Sequence, residues 1–287
     1  MRFDSADHRN GAPMTLQHTL LLPRRRLLAA AIGVVAVGRH AFAQAQQDPW
    51  PSLAAQIFAG RTIQNGAAIL AIDAPQRAED AAVVPIGLRS LLAAGDPRQF
   101  RAITLVIDEN PSPLAAVFAP GIDSRMRALS TRVRIDSYTN VHAVAELSDG
   151  QVYAVQRYVK AAGGCSAPAA KVASDSIPPG AMRFREFAPD AGADPDLREA
   201  QLMIRHPNFS GMQMDQVTRL YVPALFVKSV RLWQGDDLLL SVEGGISIAE
   251  NPEFRFDFRP NGAMRFRAEM QDSAGGTFKQ EWPAARA

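Results

Sequence analysis

One cysteine is the residue of this chain whose type and setting most favour chemistry. Cys165 follows Gly163 and Gly164 and lies between a predicted strand and a stretch rich in Pro, Ala and Ser. Exported proteins normally use cysteines in pairs, so an unpaired thiol is either incidental or kept free to react. Because glycine has no side chain and frees the backbone, the pair predicts a flexible arm that presents the Cys165 thiol to solvent.

Other groups that could assist the thiol or bind a metal are few. Beyond the predicted leader the chain keeps two histidines, His142 and His206, each in strand-like sequence typical of structural histidines. Either could in principle act as the base of a Cys/His nucleophilic pair, so a thiol enzyme stays open as an alternative. A structural zinc site usually needs four Cys or His ligands, and the spacing here indicates no metal site and no cofactor.

The N-terminus has the pattern of an export signal. Arg24, Arg25 and Arg26 precede an apolar run, 27–37, that is too short to span a bilayer, and a small-residue cleavage site ends at Ala43. The arginines fit a twin-arginine signal or a general secretory signal. We therefore expect residues 1–43 to be a signal peptide cleaved near Ala43, and the mature protein to be periplasmic.

Removing this leader changes the charge balance. Of 31 basic and 29 acidic residues, six basic and two acidic ones lie in residues 1–43, which leaves 25 against 27 and a formal charge of −2. The mature chain therefore has no overall attraction for nucleic acid. No later segment has 18 consecutive apolar residues, so we also expect no membrane span.

The remaining chain divides into two halves. Residues 166–180 contain three prolines and no aromatic residue, which indicates a linker. It separates a first domain, 44–165, from a second, 181–287. A weak helix is predicted over 53–58, with Ser52 as its N-cap.

Both halves are rich in short segments of strand-like sequence separated by turns. The predicted strands are 67–72, 82–88, 102–108, 114–118, 128–135, 141–147, 151–160, 182–187, 200–205, 227–233, 237–242, 253–259, 263–270 and 277–282. Phe254, Phe256 and Phe258 alternate with polar residues and should share one buried face. The spacing predicts an all-β protein with two consecutive Ig-like antiparallel β-sandwich domains joined by a Pro/Ala/Ser-rich linker.

Six segments resemble a known pair of proteins. Residues 110–118, 130–134 and 143–150 resemble SoxY, a subunit of bacterial sulfur-oxidation systems, and Gly163-Gly164-Cys165 stands where that subunit ends. Residues 204–207, 226–233 and 247–256 resemble its partner SoxZ. The resemblance extends in two consecutive blocks over nearly all of the predicted mature chain.

The resemblance implies a carrier and not an enzyme. SoxY holds oxidised sulfur intermediates covalently on its cysteine, so Cys165 would be the attachment residue and Gly163 and Gly164 the flexible arm. The two sandwiches would pair within the chain, and the partners would be periplasmic redox enzymes of sulfur oxidation. Fused carriers of this kind resemble a subgroup associated with quinoprotein dehydrogenases.

The chain departs from the family pattern in two respects, because the family arm has glycines on both sides of the cysteine and ends there. Here Ser166, Ala167 and Pro168 follow Cys165, and the chain continues into the second domain. The arm is therefore a loop tethered at both ends. A binding module that serves a quinoprotein dehydrogenase, with no covalent cargo, is the main alternative to a carrier.

Overall fold

The structure is a computed structural model, which describes residues 48–93, 95–168, 178–187, 194 and 196–284. The predicted signal peptide and its cleavage site lie outside the described residues, as do residues 169–177 of the predicted linker. No helix among the described residues is long and apolar enough to cross a membrane.

The described residues form one helix, α1 (Trp50–Ile57), and fifteen strands. The strands are β1 (Ile63–Asn65), β2 (Leu70–Asp73), β3 (Val84–Ser90), β4 (Phe100–Ile107), β5 (Leu114–Pro120), β6 (Ala128–Val133), β7 (Thr139–Leu147), β8 (Val152–Val159), β9 (Met182–Phe187), β10 (Arg198–Ile204), β11 (Val227–Gln234), β12 (Asp237–Gly244), β13 (Glu253–Phe258), β14 (Arg265–Asp272) and β15 (Thr277–Pro283).

Each of the fourteen predicted strands is present, with ends that differ by a few residues. Strand β1 was not predicted, because three residues are too few for alternation to be visible and its parallel partner β8 is distant in sequence. The helix prediction was wrong in its cap. Helix α1 begins at Trp50, with Pro49 at the N-cap position and no capping side chain, and Ser52 lies inside it. Pro51 lies in the first turn of the helix, where proline is tolerated because the amides there have no partner within the helix.

The strands form two sheets, and both sheets run through the two halves of the chain. The first has the order β1-β8-β7-β4-β5-β12-β11-β14-β15 and the second the order β2-β3-β6-β13-β10-β9. Antiparallel pairs β5–β12 and β6–β13 join the halves. The all-β prediction of two sandwiches is confirmed, and the sandwiches share their sheets edge to edge.

The hydrophobic core is continuous across this junction. Phe118 of β5 is fully buried and meets Phe254 of β13 edge to face, with ring centroids 6.1 Å apart. Phe254, Phe256 and Phe258 are all buried, as their alternation predicts. The apolar faces of the two halves therefore lie in one cluster, which removes both from water together.

The continuous sheets predict that the halves stay together when the chain is cut. A protease site inserted between Ala170 and Lys171 should, after cleavage, give two fragments that co-elute on gel filtration. The fragments should also unfold in one urea transition, because neither can lose its partner without exposing core and strand edges. Uncleaved protein with the same insertion is the control, and separate elution of the fragments would contradict the prediction.

Candidate functional site around Cys165

Strand β8 leads directly into the segment that ends at the cysteine. Just beyond the strand, Lys160 donates its amide to the Gln76 carbonyl over 2.9 Å, and its own carbonyl accepts from the Ala78 amide over 3.1 Å. Lys160 is thereby fixed to the first domain. The five residues from Ala161 to Cys165 are the arm, defined here as 161–165.

The structure contradicts the prediction of an exposed thiol, because Cys165 is 0% exposed. Three successive amides of the arm bind the segment that follows β6. Gly163 N donates to Asp136 O over 2.8 Å, Gly164 N to Ile135 O over 2.9 Å, and Cys165 N to Asp136 Oδ1 over 3.3 Å. We call this position of the arm docked, because its backbone amides donate to acceptors on the first domain. These acceptors are distant in sequence, so local sequence patterns did not predict them.

The glycines permit this docking. A Cβ on Gly164 would lie 2.0 Å from Ala81 O and 2.6 Å from Ile135 O, so a side chain cannot fit there. Gly163 has φ +78°, a conformation that other residues adopt at a cost. The Gly-Gly pair therefore serves close approach to the first domain as well as freedom of the backbone.

The second domain covers the cysteine from the other side. The Ser210 hydroxyl donates to the Cys165 carbonyl, while Ser210 N donates to Gln213 Oε1 over 2.9 Å. Ser210 and Gln213 are both buried. The cysteine thus lies at the junction of the halves, and sequence reasoning missed Ser210 because nothing local distinguishes it from other serines.

Asn110 links segments at the junction of the two halves through side-chain hydrogen bonds. Its side-chain amide donates to Arg134 O over 2.8 Å and to Ser247 Oγ over 3.0 Å, and its Oδ1 accepts from Asp136 N over 2.9 Å. Asn110 therefore positions the residues to which the arm binds. Asn110, Arg134 and Ser247 lie in the segments that carry the family resemblance, which was the available signal for them.

The environment of the docked thiol suppresses its reactivity. Burial raises the pKa of Cys165 to about 12, with the nearby Asp136 carboxylate adding to the shift and the Arg134 guanidinium opposing it. Because the thiolate is the nucleophile, docked Cys165 is protonated and poorly reactive at neutral pH. A reactive thiol requires the arm to leave this position.

In the part of the chain that the structure describes, the two histidines contact other residues and form no hydrogen bond with the Cys165 thiol. His142 Nε2 lies 3.0 Å from Asp108 Oδ2, and its ring stacks on Trp50 with centroids 3.7 Å apart. His206 Nδ1 accepts from Asn208 N over 3.1 Å, and burial lowers the pKa of this imidazole. Across the described residues no hydrogen bond joins either ring to the thiol, so the Cys/His pair of a thiol enzyme is not formed in this conformation.

Among the residues that the structure describes, neither histidine belongs to a cluster that could bind a metal. The described ranges contain no group of three or more His, Cys, Asp or Glu side chains that could hold an ion.

Comparisons with known proteins divide the chain into two consecutive family matches. Residues 54–165 match the family model described as sulfur oxidation protein SoxY, and residues 186–283 match that of sulphur oxidation protein SoxZ. A search of curated proteins finds no match.

Solved structures include partial matches to the chain. The sulfur carrier protein SoxY from Chlorobium limicola f thiosulfatophilum is 27% identical, with a TM-score of 0.33, and the match covers 39% of this chain and 91% of that one. Superoxide reductase (neelaredoxin) from Ignicoccus hospitalis is 13% identical, with a TM-score of 0.26, and the match covers 32% of this chain and 79% of that one.

The close approach at Gly164 predicts that Gly164→Ala releases the arm. The docked arm has about four hydrogen bonds that release breaks, worth ~1 kcal/mol each, so wild-type Cys165 should react with a thiol probe roughly 1,000-fold more slowly than unfolded protein. Gly164→Ala should label near the unfolded rate. Gly150→Ala, at a turn glycine with φ +80° and nothing within 4 Å of the added Cβ, is the control and should label as slowly as wild type.

The raised pKa of the docked thiol predicts how release depends on pH. Docking raises the pKa of the Cys165 thiol from 9.0 to about 12, so the protonated thiol stabilises the docked arm fully below pH 9. This stabilisation is lost as the pH rises from 9 to 12. The labelling rate of wild type should therefore keep rising above pH 9. The rate of Gly164→Ala, with its arm released, should level off near pH 9. Circular dichroism would define the range in which both stay folded, and a common plateau would contradict the docked state.

Proposed function

Because the chain joins a SoxY domain to a SoxZ domain in tandem, we propose that it is a periplasmic carrier that holds a sulfur-compound intermediate covalently on Cys165. Partner redox enzymes of sulfur oxidation would load and process the cargo, and the protein itself would have no turnover. The observation that carries the proposal is the position of the chain's one cysteine, at the last residue of the SoxY match.

The docked thiol gives the carrier two states. In the docked state Cys165 is buried and protonated, which protects the thiol from unwanted oxidation. In the released state the pKa returns toward its ordinary value and the thiolate can attack or be attacked. A partner that binds only the released arm can shift this equilibrium, provided that its affinity for the released arm exceeds that for the docked arm by more than the roughly 1,000-fold preference for docking.

The SoxZ domain has a defined part in this cycle. Ser210 of that domain contacts the Cys165 carbonyl, and Arg134 of the SoxY domain donates to the Asn208 carbonyl over 3.2 Å. The second domain therefore completes the docking groove, and without it one side of the cysteine would face solvent. This supports a role of the second domain in sheltering the cargo residue.

An accessory module with no covalent cargo, serving a periplasmic quinoprotein dehydrogenase, is the second candidate. The observation in its favour is the burial of Cys165 together with its high pKa, because a thiol that never leaves this position would be inert. The two candidates differ in whether a covalent adduct forms on Cys165.

Intact-mass measurement of protein purified from its native periplasm separates the candidates. We expect a fraction of the chains to carry added mass that a reductant removes. Cys165→Ser should carry none while keeping its thermal midpoint within a few degrees, since no disulfide is lost. Ser229→Ala, a half-buried serine on β11, should carry the adduct as wild type does. Unmodified mass in every preparation, even after exposure to tetrathionate, would favour the accessory module.

A further inference from the structure

Strand β15 leaves one edge of the nine-stranded sheet open. Among the described strands it pairs with β14 alone, and it has seven residues, against three in β1 at the opposite edge of the same sheet. An open edge of this length offers a row of backbone N–H and C=O groups to a further strand. The sheet can therefore be extended at β15.

The pairing with β14 determines which backbone groups of β15 face the open edge. Asp272 N donates to Gly276 O over 3.0 Å, just before β15 begins. Ala284 N donates to Met264 O over 2.9 Å, just after β15 ends. Because these groups alternate in direction along an antiparallel strand, the even-numbered residues of β15 bond to β14 and the odd-numbered residues face the open edge.

The odd-numbered residues at this edge include one cation and one carboxylate, two residues apart. The side chains of Lys279 and Glu281 lie on the outer face of the sheet and are 62% and 52% exposed. Lys279 Nζ lies 3.0 Å from Glu269 Oε1 on β14, and Glu281 Oε2 lies 3.7 Å from Arg265 Nη1 on the same strand. Each charge at the edge therefore already faces an opposite charge on β14.

A second copy of β15 is complementary to this edge in one register. With the strands antiparallel and a two-fold axis through Gln280, Lys279 of each copy stands opposite Glu281 of the other, and the two residues exchange both backbone hydrogen bonds. The charges then alternate across the joined sheets, from Glu269 and Lys279 to Glu281 and Arg265 of the second copy. A register centred on Lys279 or on Glu281 would instead place like charges directly opposite, which is destabilising.

The inner face of the strand favours the same register. Phe278 and Trp282 are half-buried and pack against the core. About the axis through Gln280, Phe278 of each copy stands opposite Trp282 of the other. This pair exchanges no backbone hydrogen bonds, so its Cα atoms would be only about 4.5 Å apart. Aromatic cross-strand pairs of this kind stabilise antiparallel sheets.

We propose that β15 is an interaction surface for a second copy of this chain, and that two copies join β15 to β15, antiparallel, about a two-fold axis through Gln280. Thr277 N of each copy donates to Pro283 O of the other, which uses the one backbone group that a proline can offer. Lys279 disfavours unrelated strands, because its charge would then lack an opposing carboxylate. Since the contact is self-complementary, association stops at the dimer. The proposal is independent of whether Cys165 carries cargo.

Sedimentation equilibrium of the purified protein tests the proposal, with a reductant present so that no disulfide forms through Cys165. A contact made by one strand pair is small, so we expect a reversible monomer–dimer equilibrium within about 5–500 μM. Lys279→Glu and Glu281→Lys each place like charges opposite one another at both positions of the contact. Each should weaken dimerisation about 10-fold or more. Both should keep the wild-type thermal midpoint within a few degrees, since exposed ion pairs contribute little to stability.

An equimolar mixture of the two variants tests the pairing itself. In a mixed dimer the acidic edge of one variant faces the basic edge of the other at both positions, so dimers should form again at the wild-type concentration or below it. Lys228→Glu is the matched control, because Lys228 is exposed on β11, two strands from the edge, and its reversal should leave the equilibrium unchanged.

Three results would overturn the proposal. The first is wild-type protein that stays monomeric at about 500 μM, above the range expected for a small transient interface. The second is dimerisation of Lys279→Glu and Glu281→Lys at the wild-type strength, which would place the contact elsewhere. The third is a mixture of the two variants that stays monomeric although each variant is folded.

Discussion

The pairing of β5 with β12 and of β6 with β13 is the constraint on which the rest of the structure depends. A sandwich that ended at β5 and β6 would present two open strand edges, whose backbone groups would need partners from outside. The second domain supplies both partners, so the two sheets continue and the core closes across the junction. The same pairings bring the backbone after β6 next to residues 206–213, and the groove for the cysteine lies between them. The site is therefore a product of the interface and belongs to neither half alone.

Under the proposed carriage, the Cys165 thiol would have conflicting requirements, since it would have to react with partners and resist other reagents. The docked arm meets the second requirement through desolvation, which keeps Cys165 protonated, and the opposing effects of Asp136 and Arg134 leave burial dominant. Release of the arm would meet the first requirement without new chemistry, because exposure to water alone restores the ordinary acidity of a thiol. Gly164 allows the backbone to approach Ala81 and Ile135 closely, and under the proposed carriage both glycines would also let the arm move.

Sequence patterns predicted the strands well because burial alternates along them, as in Phe254, Phe256 and Phe258. They also identified Cys165 as the residue to examine. They predicted the wrong exposure for it, since a Gly-Gly pair indicates local freedom while the acceptors that restrain it, Ile135 O and Asp136 O, lie in another strand region. Ser210 and Gln213 could not be found for the same reason: their importance comes from a tertiary contact across the domain junction. Strand β1 was missed because it depends on a distant parallel partner.

The tether at both ends of the arm has a consequence for the shape of any partner site. From Lys160, which is bound to Gln76 and Ala78, five residues lead to the cysteine and reach at most about 17 Å when extended. Beyond the cysteine the chain returns to the second domain, where Gly180 N donates to Arg205 O. A partner must therefore admit a doubled-back chain, two backbones wide, where a free tail would need room for one. Under the proposed function, a cleft open along one side would suit this protein better than a tunnel one backbone wide.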